Sequence, residues 1–182
     1  MREQRREYVG AADADFVWSS ESPVPASVLW QYFVDADKRL RWQTNQLAVE
    51  NRPNERGRFG VGATSHCAHG GFDLVRRYVD WRPFRYYTCK AERVKASLSA
   101  PPPWTETQEF VPLEGGGTAV HIRIRFHNRG RLSLLWTRLV MAPLIRRLFR
   151  RFQANLQRLG EEEELLAQFA PQPSPDAGHS EP

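Results

Sequence analysis

The chain has no long apolar run. Its longest stretch free of Asp, Glu, Lys and Arg, Phe59 to Phe72, is rich in glycine, serine, threonine and histidine, whereas a membrane-spanning helix needs about 20 apolar residues. No bilayer-crossing segment is expected. Cysteine is scarce too: Cys67 and Cys89 are the only two among 182 residues, which excludes a disulfide-dense scaffold. Lysine is rare, so the bases behind the net charge of +5 are nearly all arginine, and they are spread along the chain. Only Arg146-Arg147 and Arg150-Arg151 cluster, and Glu161 to Glu164 follow closely. A concentrated basic face with aromatic stacking residues beside it is missing, so no nucleic-acid partner is expected. The first residues mix acids with bases and lead into no apolar segment, unlike a secretory signal. A cytoplasmic protein is the expectation.

Catalytic signatures are also lacking. No Gly-x-Ser-x-Gly elbow is present to anchor an acyl-transfer triad. Gly57-Arg58-Phe59-Gly60-Val61-Gly62 resembles a phosphate loop but has neither a helix after it nor a Lys-Ser or Lys-Thr pair. It reads as a conformational loop. In His66-Cys67-Ala68-His69 the two histidines have opposite parity, so on a strand they face opposite ways and cannot share an ion. Neither a metal nor a cofactor is implied. Cys67 and Cys89 fall on strands flanking a third, about 10 Å apart by sheet spacing, and read as unpaired thiols.

What the sequence does contain is one domain's worth of patterned chain. Hydrophobic residues at 41% and charged at 26% are ordinary globular values, so wholesale disorder is excluded. Residues 1–12 show no periodicity and residues 169–182 form a Pro-rich polar tail; both are expected to be mobile around a single domain at 13–168. Phe16 and Trp18 alternate with polar or smaller residues as one face of a strand. Pro25 suits a first helical turn, Val28, Leu29, Tyr32 and Phe33 repeat at helical spacing, and Asp35 is placed to cap a second short helix reaching Trp42. Strands are predicted near 46–51, 63–69, 72–82, 84–92, 104–113 and 117–128. The turns between them are short and rich in Gly or Pro, which makes neighbours antiparallel. In the last strand Val120, Ile122, Ile124 and Phe126 face the core, and His121, Arg123, Arg125 and His127 face water.

The C-terminal third is helical in two registers. Met141, Leu144, Ile145, Leu148, Phe149, Phe152, Leu156 and Leu159 make one apolar stripe. Upstream, Leu132, Leu135, Trp136, Leu139 and Val140 make another whose centre lies nearly opposite the first at 100° per residue. One straight helix cannot bury both against one sheet, and Pro143 stands at the change of register, so a kink or break is expected there.

This order of elements resembles the helix-grip fold of the SRPBCC, START-like (Bet v 1-like) superfamily, and the local sequence looks like its bacterial polyketide cyclase/dehydrase branch. The resemblance rests on the first strand and Pro25-led helix, Asp37 through Trp42, the loop glycines Gly57, Gly60 and Gly62, the segment Asp80 to Tyr86, and Gly116-Gly117-Thr118 before the last strand. It implies an α+β fold: a curved antiparallel sheet of about seven strands wrapped around a long C-terminal helix, with two short helices after the first strand. It further implies an apolar cavity between sheet and helix for a small hydrophobic molecule such as a lipid, polyketide or aromatic compound. Candidate ligand-binding residues are Phe16, Trp18, Tyr86, Trp104, Gln108, Ile122, Ile124, Phe126, Trp136, Leu148 and Phe152. Glu106 shares parity with Trp104 and Phe110; on the concave face it would bring a carboxylate into an apolar chamber, a setting for proton transfer. The competing arrangement is a solvent-facing Glu106, or one paired with Arg76 or Arg77.

Three functions stand at this point. The leading one is a non-enzymatic binding module. The second is a cofactor-independent cyclase or dehydratase acting on a polyketide-like substrate. The third is a protein-interaction or membrane-surface module using the 132–141 stripe, as a homodimer contact or a lipid contact. For the stripe itself, a fold back as a lid over the cavity mouth is preferred to such a contact, because it needs no partner.

Overall fold

The structure, a computed structural model, describes residues 7–94, 102–127, 135, 139 and 142–169, with side chains to residue 162. Strand β1 (Phe16–Ser22) leads into helices α1 (Ala26–Val34) and α2 (Ala36–Trp42). Six strands follow: β2 (Gln46–Arg52), β3 (Thr64–His69), β4 (Phe72–Arg82), β5 (Tyr86–Arg93), β6 (Trp104–Pro112) and β7 (Thr118–Phe126). Helix α3 (Ala142–Phe169) closes the described chain. The described strands form one antiparallel sheet in the order β1-β7-β6-β5-β4-β3-β2, and among them the only non-sequential pairing is β1 with β7. This is the helix-grip arrangement, α+β with one sheet and α3 across its inner face.

Local chemistry explains the boundaries. Asp35 Oδ1 accepts the Lys38 backbone N–H at 2.9 Å, capping α2 as its position suggested. Gly57 and Gly62 hold positive φ angles of 69° and 86°, and Asn54 Oδ1 accepts from the Arg56 and Arg58 backbone N–H groups on either side of Gly57. The loop is conformational. Pro143 is the second described residue of α3; the change of register expected beside it falls on residues 140–141, outside the described residues. Leu132, Trp136 and Val140 lie outside the described residues; Leu135 and Leu139 are exposed.

The inner face is filled unevenly. Beneath α1 and α2 the rings of Trp30, Phe33, Tyr87 and Phe110 meet at centroid distances of 5.0–5.7 Å, with Tyr78 and Trp81 beside them. Trp81 joins this cluster because β4 bulges between Tyr78 and Asp80, so Tyr78 and Trp81 both face inward across a gap of three residues. At the α3 end, Phe149 lies 5.9 Å from Phe16 and 5.0 Å from Trp18. Phe152, Leu156 and Leu159 are buried as the apolar stripe requires, but Leu144 of the same stripe is 64% exposed.

The outer face is covered in the middle by residues 7–10, which the sequence placed in a mobile N-terminus. Val9 is fully buried and its N–H donates to Thr107 Oγ1 at 2.9 Å. The Tyr8 hydroxyl donates to Glu109 and receives Arg123, and Lys90 pairs with Glu7 at 2.7 Å. A segment with no periodicity carries no signal for such contacts, which depend on what β5 to β7 present. Both cysteines are buried and unpaired. Among the described residues no helix is long and apolar enough to cross a membrane.

Gly117 gives a test of the β7 junction with β1. A Cβ there would stand 2.6 Å from the Ser22 carbonyl oxygen, a backbone atom that cannot step aside, whereas one on Gly70 would meet nothing within 4 Å. Gly117→Ala is expected to cost about 1–3 kcal/mol in urea unfolding and Gly70→Ala less than about 0.5 kcal/mol.

Candidate functional site

Where the aromatic cluster stops, the interior is hollow. A cavity of about 550 Å³ lies between the sheet and α3, inside the usual range for small-molecule sites. Its floor is the inner face of β4, β6 and β7, through Leu74, Trp104, Ile124 and Phe126; its roof is α3, through Ile145, Leu148, Phe149 and Phe152. Leu144, Arg147 and Arg151 of α3 border it too.

Of the residues singled out in the sequence, Trp104, Glu106, Gln108, Ile124, Phe126, Leu148 and Phe152 line this cavity. Phe16, Trp18 and Ile122 do not. Phe16 and Trp18 are spent on Phe149 at the β1 edge, and Ile122 is buried in the packed core beyond the hollow. Tyr86 is on the wrong face: Tyr87, Cys89 and Ala91 take the inner positions of β5, while the Tyr86 hydroxyl donates to Asp80 at 3.1 Å and its ring meets Tyr8 at 5.1 Å. Trp136 lies outside the described residues.

Glu106 is inward-facing and also paired, so two arrangements that looked exclusive coexist. It is 2% exposed; Trp104 Nε1 donates to its Oε2 at 3.0 Å, Gln108 Nε2 donates to its Oε1, and Arg76 Nη1 stands 4.0 Å from that same oxygen. Gln108 in turn accepts from the Tyr87 hydroxyl. The result is a polar chain from the aromatic cluster to the cavity floor, fully assembled within the protein. Burial, with Tyr78 and Glu106 adding to it, pushes the Tyr87 hydroxyl well above its ordinary pKa, so it remains a donor.

A second arginine lies deeper. Arg39 of α2 is fully buried, with Nη1 3.2 Å from Ser65 Oγ and 3.7 Å from Cys67 Sγ, and Nη2 3.4 Å from the Tyr78 hydroxyl. Its position in a seven-residue helix among Lys38 and Arg41 marks it as surface by sequence, and only packing of α2 on β3 shows otherwise. His69, which strand parity separates from His66, lines the cavity. Burial, then the Arg76 charge, hold its imidazole down at about 4. Its parity with Cys67 was the available signal. Among the described residues no group of His, Cys, Asp and Glu is placed to hold a metal.

A curved antiparallel sheet gripping one long helix over a part-apolar hollow defines a helix-grip domain. A family model described as polyketide cyclase / dehydrase and lipid transport matches residues 13–162, and the chain belongs to that family. Solved structures with the same fold include DynU16, encoded in the dynemicin biosynthetic locus, with a TM-score of 0.58 and 11% identity over 81% of this chain. This chain spans only 47% of DynU16. A protein from Arthrobacter aurescens has a TM-score of 0.58 and 14% identity, covering 91% of this chain and 92% of its own. Ara h 8.0201 has 0.54 and 13%, covering 78% and 95%. No curated protein matches the sequence. These findings support a ligand-binding or cyclase-type function without choosing between them.

Two outcomes are expected of the buried polar groups. Glu106→Gln leaves the Arg76 guanidinium buried without a counter-charge and should cost about 3 kcal/mol, with Arg76→Met added on top restoring part of it; chemical denaturation of the single and double variants measures both. For His69, protonation is harder folded than unfolded, since the ring falls from 6.5 to about 4. Its stabilisation is therefore complete above about pH 6.5 and lost as pH drops towards 4. His69→Phe, which keeps the stack on Phe72 at 4.8 Å, should flatten that part of the stability profile relative to the parent.

Proposed function

We propose that this protein binds a small, largely apolar molecule in the cavity between the sheet and α3, and that binding rather than catalysis is its role. The observation that carries the reading is a hollow of about 550 Å³ in an interior that is otherwise well packed with aromatic rings. Filling it with side chains would stabilise the fold, because unfilled space forfeits contact energy around its whole lining. An interior kept open at that cost has the shape of a binding site. Trp104, Ile124, Phe126, Leu148 and Phe152 supply the apolar contacts, with Gln108 held at the floor.

The cyclase-type alternative draws on the Glu106 carboxylate at the cavity floor. Against it, both oxygens of Glu106 are already engaged by Trp104, Gln108 and Arg76, an arrangement suited to neutralising Arg76 and orienting Gln108 more than to exchanging a proton with a ligand.

Native mass spectrometry of the protein purified from its own host is expected to reveal a co-purifying small molecule. Leu148→Trp, on the α3 roof, should block the hollow and weaken its binding at least tenfold while the circular dichroism spectrum is retained. A protein that carries nothing and takes up no member of a panel of fatty acids and bicyclic to tetracyclic aromatics would overturn the reading.

A further inference from the structure

The cavity is not uniformly apolar. Gln43 and the following Asn45 and Gln46, at the exit of α2, line it together with His69 of β3 and Arg76 of β4. Each of these five side chains holds a buried polar atom with no hydrogen-bond partner in the protein: Gln43 Oε1, Asn45 Oδ1, Gln46 Oε1, His69 Nε2 and Arg76 Nε. Among the described residues only Arg39 Nε and Asn51 Oδ1 share that condition elsewhere. Arg76, Gln43 and Gln46 are more than nine-tenths buried. Unpaired buried polar atoms are individually costly and few in native proteins. Five of them around one hollow point to a partner that the protein itself does not supply.

Their chemistry restricts that partner. His69 Nδ1 lies 3.1 Å from the Asn45 backbone carbonyl oxygen, which can only accept, and 3.4 Å from Asn45 Nδ2, which can only donate; the shorter contact puts the ring proton on Nδ1 and leaves Nε2 an acceptor. The depressed basicity of the ring keeps it neutral across the physiological range. The three carboxamides can present either an oxygen or an NH2 group; the imidazole cannot. Arg76 is the one charged group of the five, and Glu106 stands against it at 4.0 Å, so the pair offers little net positive charge. A carboxylate at this end would meet the lone pair of His69 and the carboxylate of Glu106; the other cations that border the cavity, Arg147 and Arg151, belong to α3, the roof, and not to this cluster. A hydroxyl has the hydrogen that Nε2 needs.

We propose that the ligand's polar end carries a hydroxyl group, phenolic, enolic or alcoholic, which donates to His69 Nε2 beside the amides of Gln43, Asn45 and Gln46, and that Arg76 takes a neutral oxygen of the same molecule. This deepens the cavity reading and rests on it. It selects hydroxylated ring compounds over fatty acids and other carboxylates.

The test uses three probes of one ring system at pH 7: 2-naphthol, 2-methoxynaphthalene and 2-naphthoate, titrated by calorimetry and by quenching of tryptophan fluorescence. The ether keeps the oxygen and lacks the donor hydrogen. Naphthol is expected to bind at least tenfold more tightly than either of the others. His69→Phe should bring naphthol down to the level of the ether without changing the ether, and His69→Gln, which retains an acceptor, should keep part of the preference. The imidazole Nε2 nitrogen-15 resonance should shift on naphthol binding and stay put with the ether. Equal binding of naphthol and ether, a preference that survives His69→Phe, or tightest binding of naphthoate would each overturn the hydroxyl site while leaving the cavity reading intact. If none of the three binds while a fatty acid or a larger aromatic without a hydroxyl does, the hydroxyl site fails and the cavity reading stands; if nothing in the wider panel binds either, both fail.

Discussion

Trp42 holds the three helices to one another, and the shape of the interior depends on it. Its indole is 1% exposed, its Nε1 donates to the Tyr32 carbonyl of α1 at 2.7 Å, and its ring lies 4.5 Å from Phe33 and 5.4 Å from Phe152 of α3. Asn155 of α3 donates to its carbonyl at 3.1 Å. One side chain thus joins α1, α2 and α3 above a sheet that none of them could cover alone. On one side of Trp42 the aromatic cluster fills the space under α1 and α2. On the other, α3 stands off the sheet and the cavity begins.

That division explains why polar groups gather where they do. Beyond Trp42 the chain leaves α2 through Gln43, Asn45 and Gln46 and enters the edge of the sheet, so amides arrive at the cavity margin because the helix ends there. Arg39 is drawn beneath the sheet edge by the packing of α2, and Arg76 faces inward because β4 alternates Leu74, Arg76 and Tyr78 on that side. Two guanidiniums against one inward carboxylate make an interior that is unusually polar for its burial. Hydrogen bonds accepted by Ser65 and Tyr78 from Arg39, and donated by Trp104 and Gln108 to Glu106 and by Tyr87 to Gln108, are what make it tolerable. These interactions also fix the cavity wall, since each partner constrains the rotamer of the next.

The outer face shows the same economy. A strand face with alternating Thr, Glu, Arg and Lys would ordinarily face water, yet Thr105 and Thr107 are nearly inaccessible. Residues 7–10 account for Thr107, while the Thr105 hydroxyl pairs with His127 at 2.8 Å. The N-terminal segment is therefore part of the domain's second, polar layer, and Tyr8 ties it to the ion pair of Glu109 with Arg123.

The element order, strand and helix boundaries to within a few residues, the antiparallel sheet and the inward set on β6 and β7 were legible in the sequence, because period-2 and period-3.6 patterns and turn residues act locally. Trp104, Glu106, Gln108, Ile124 and Phe126 reached the cavity list on parity alone. Parity failed where the strand itself departs from regularity or where the face had no contrast. The bulge after Tyr78 hides the true face of Trp81, and Tyr86-Tyr87 offers two like residues of which only the second points inward. Gln43, Asn45 and Gln46 carry no local signal for a site, and His69 carries only its parity with Cys67: their proximity is made by α2 ending beside the β3 edge, a meeting of segments more than twenty residues apart. The sequence by itself determined what each segment becomes and most of which way it faces. Only the tertiary structure decided which faces meet, how far α3 stands from the sheet, and which polar atoms are left there without partners.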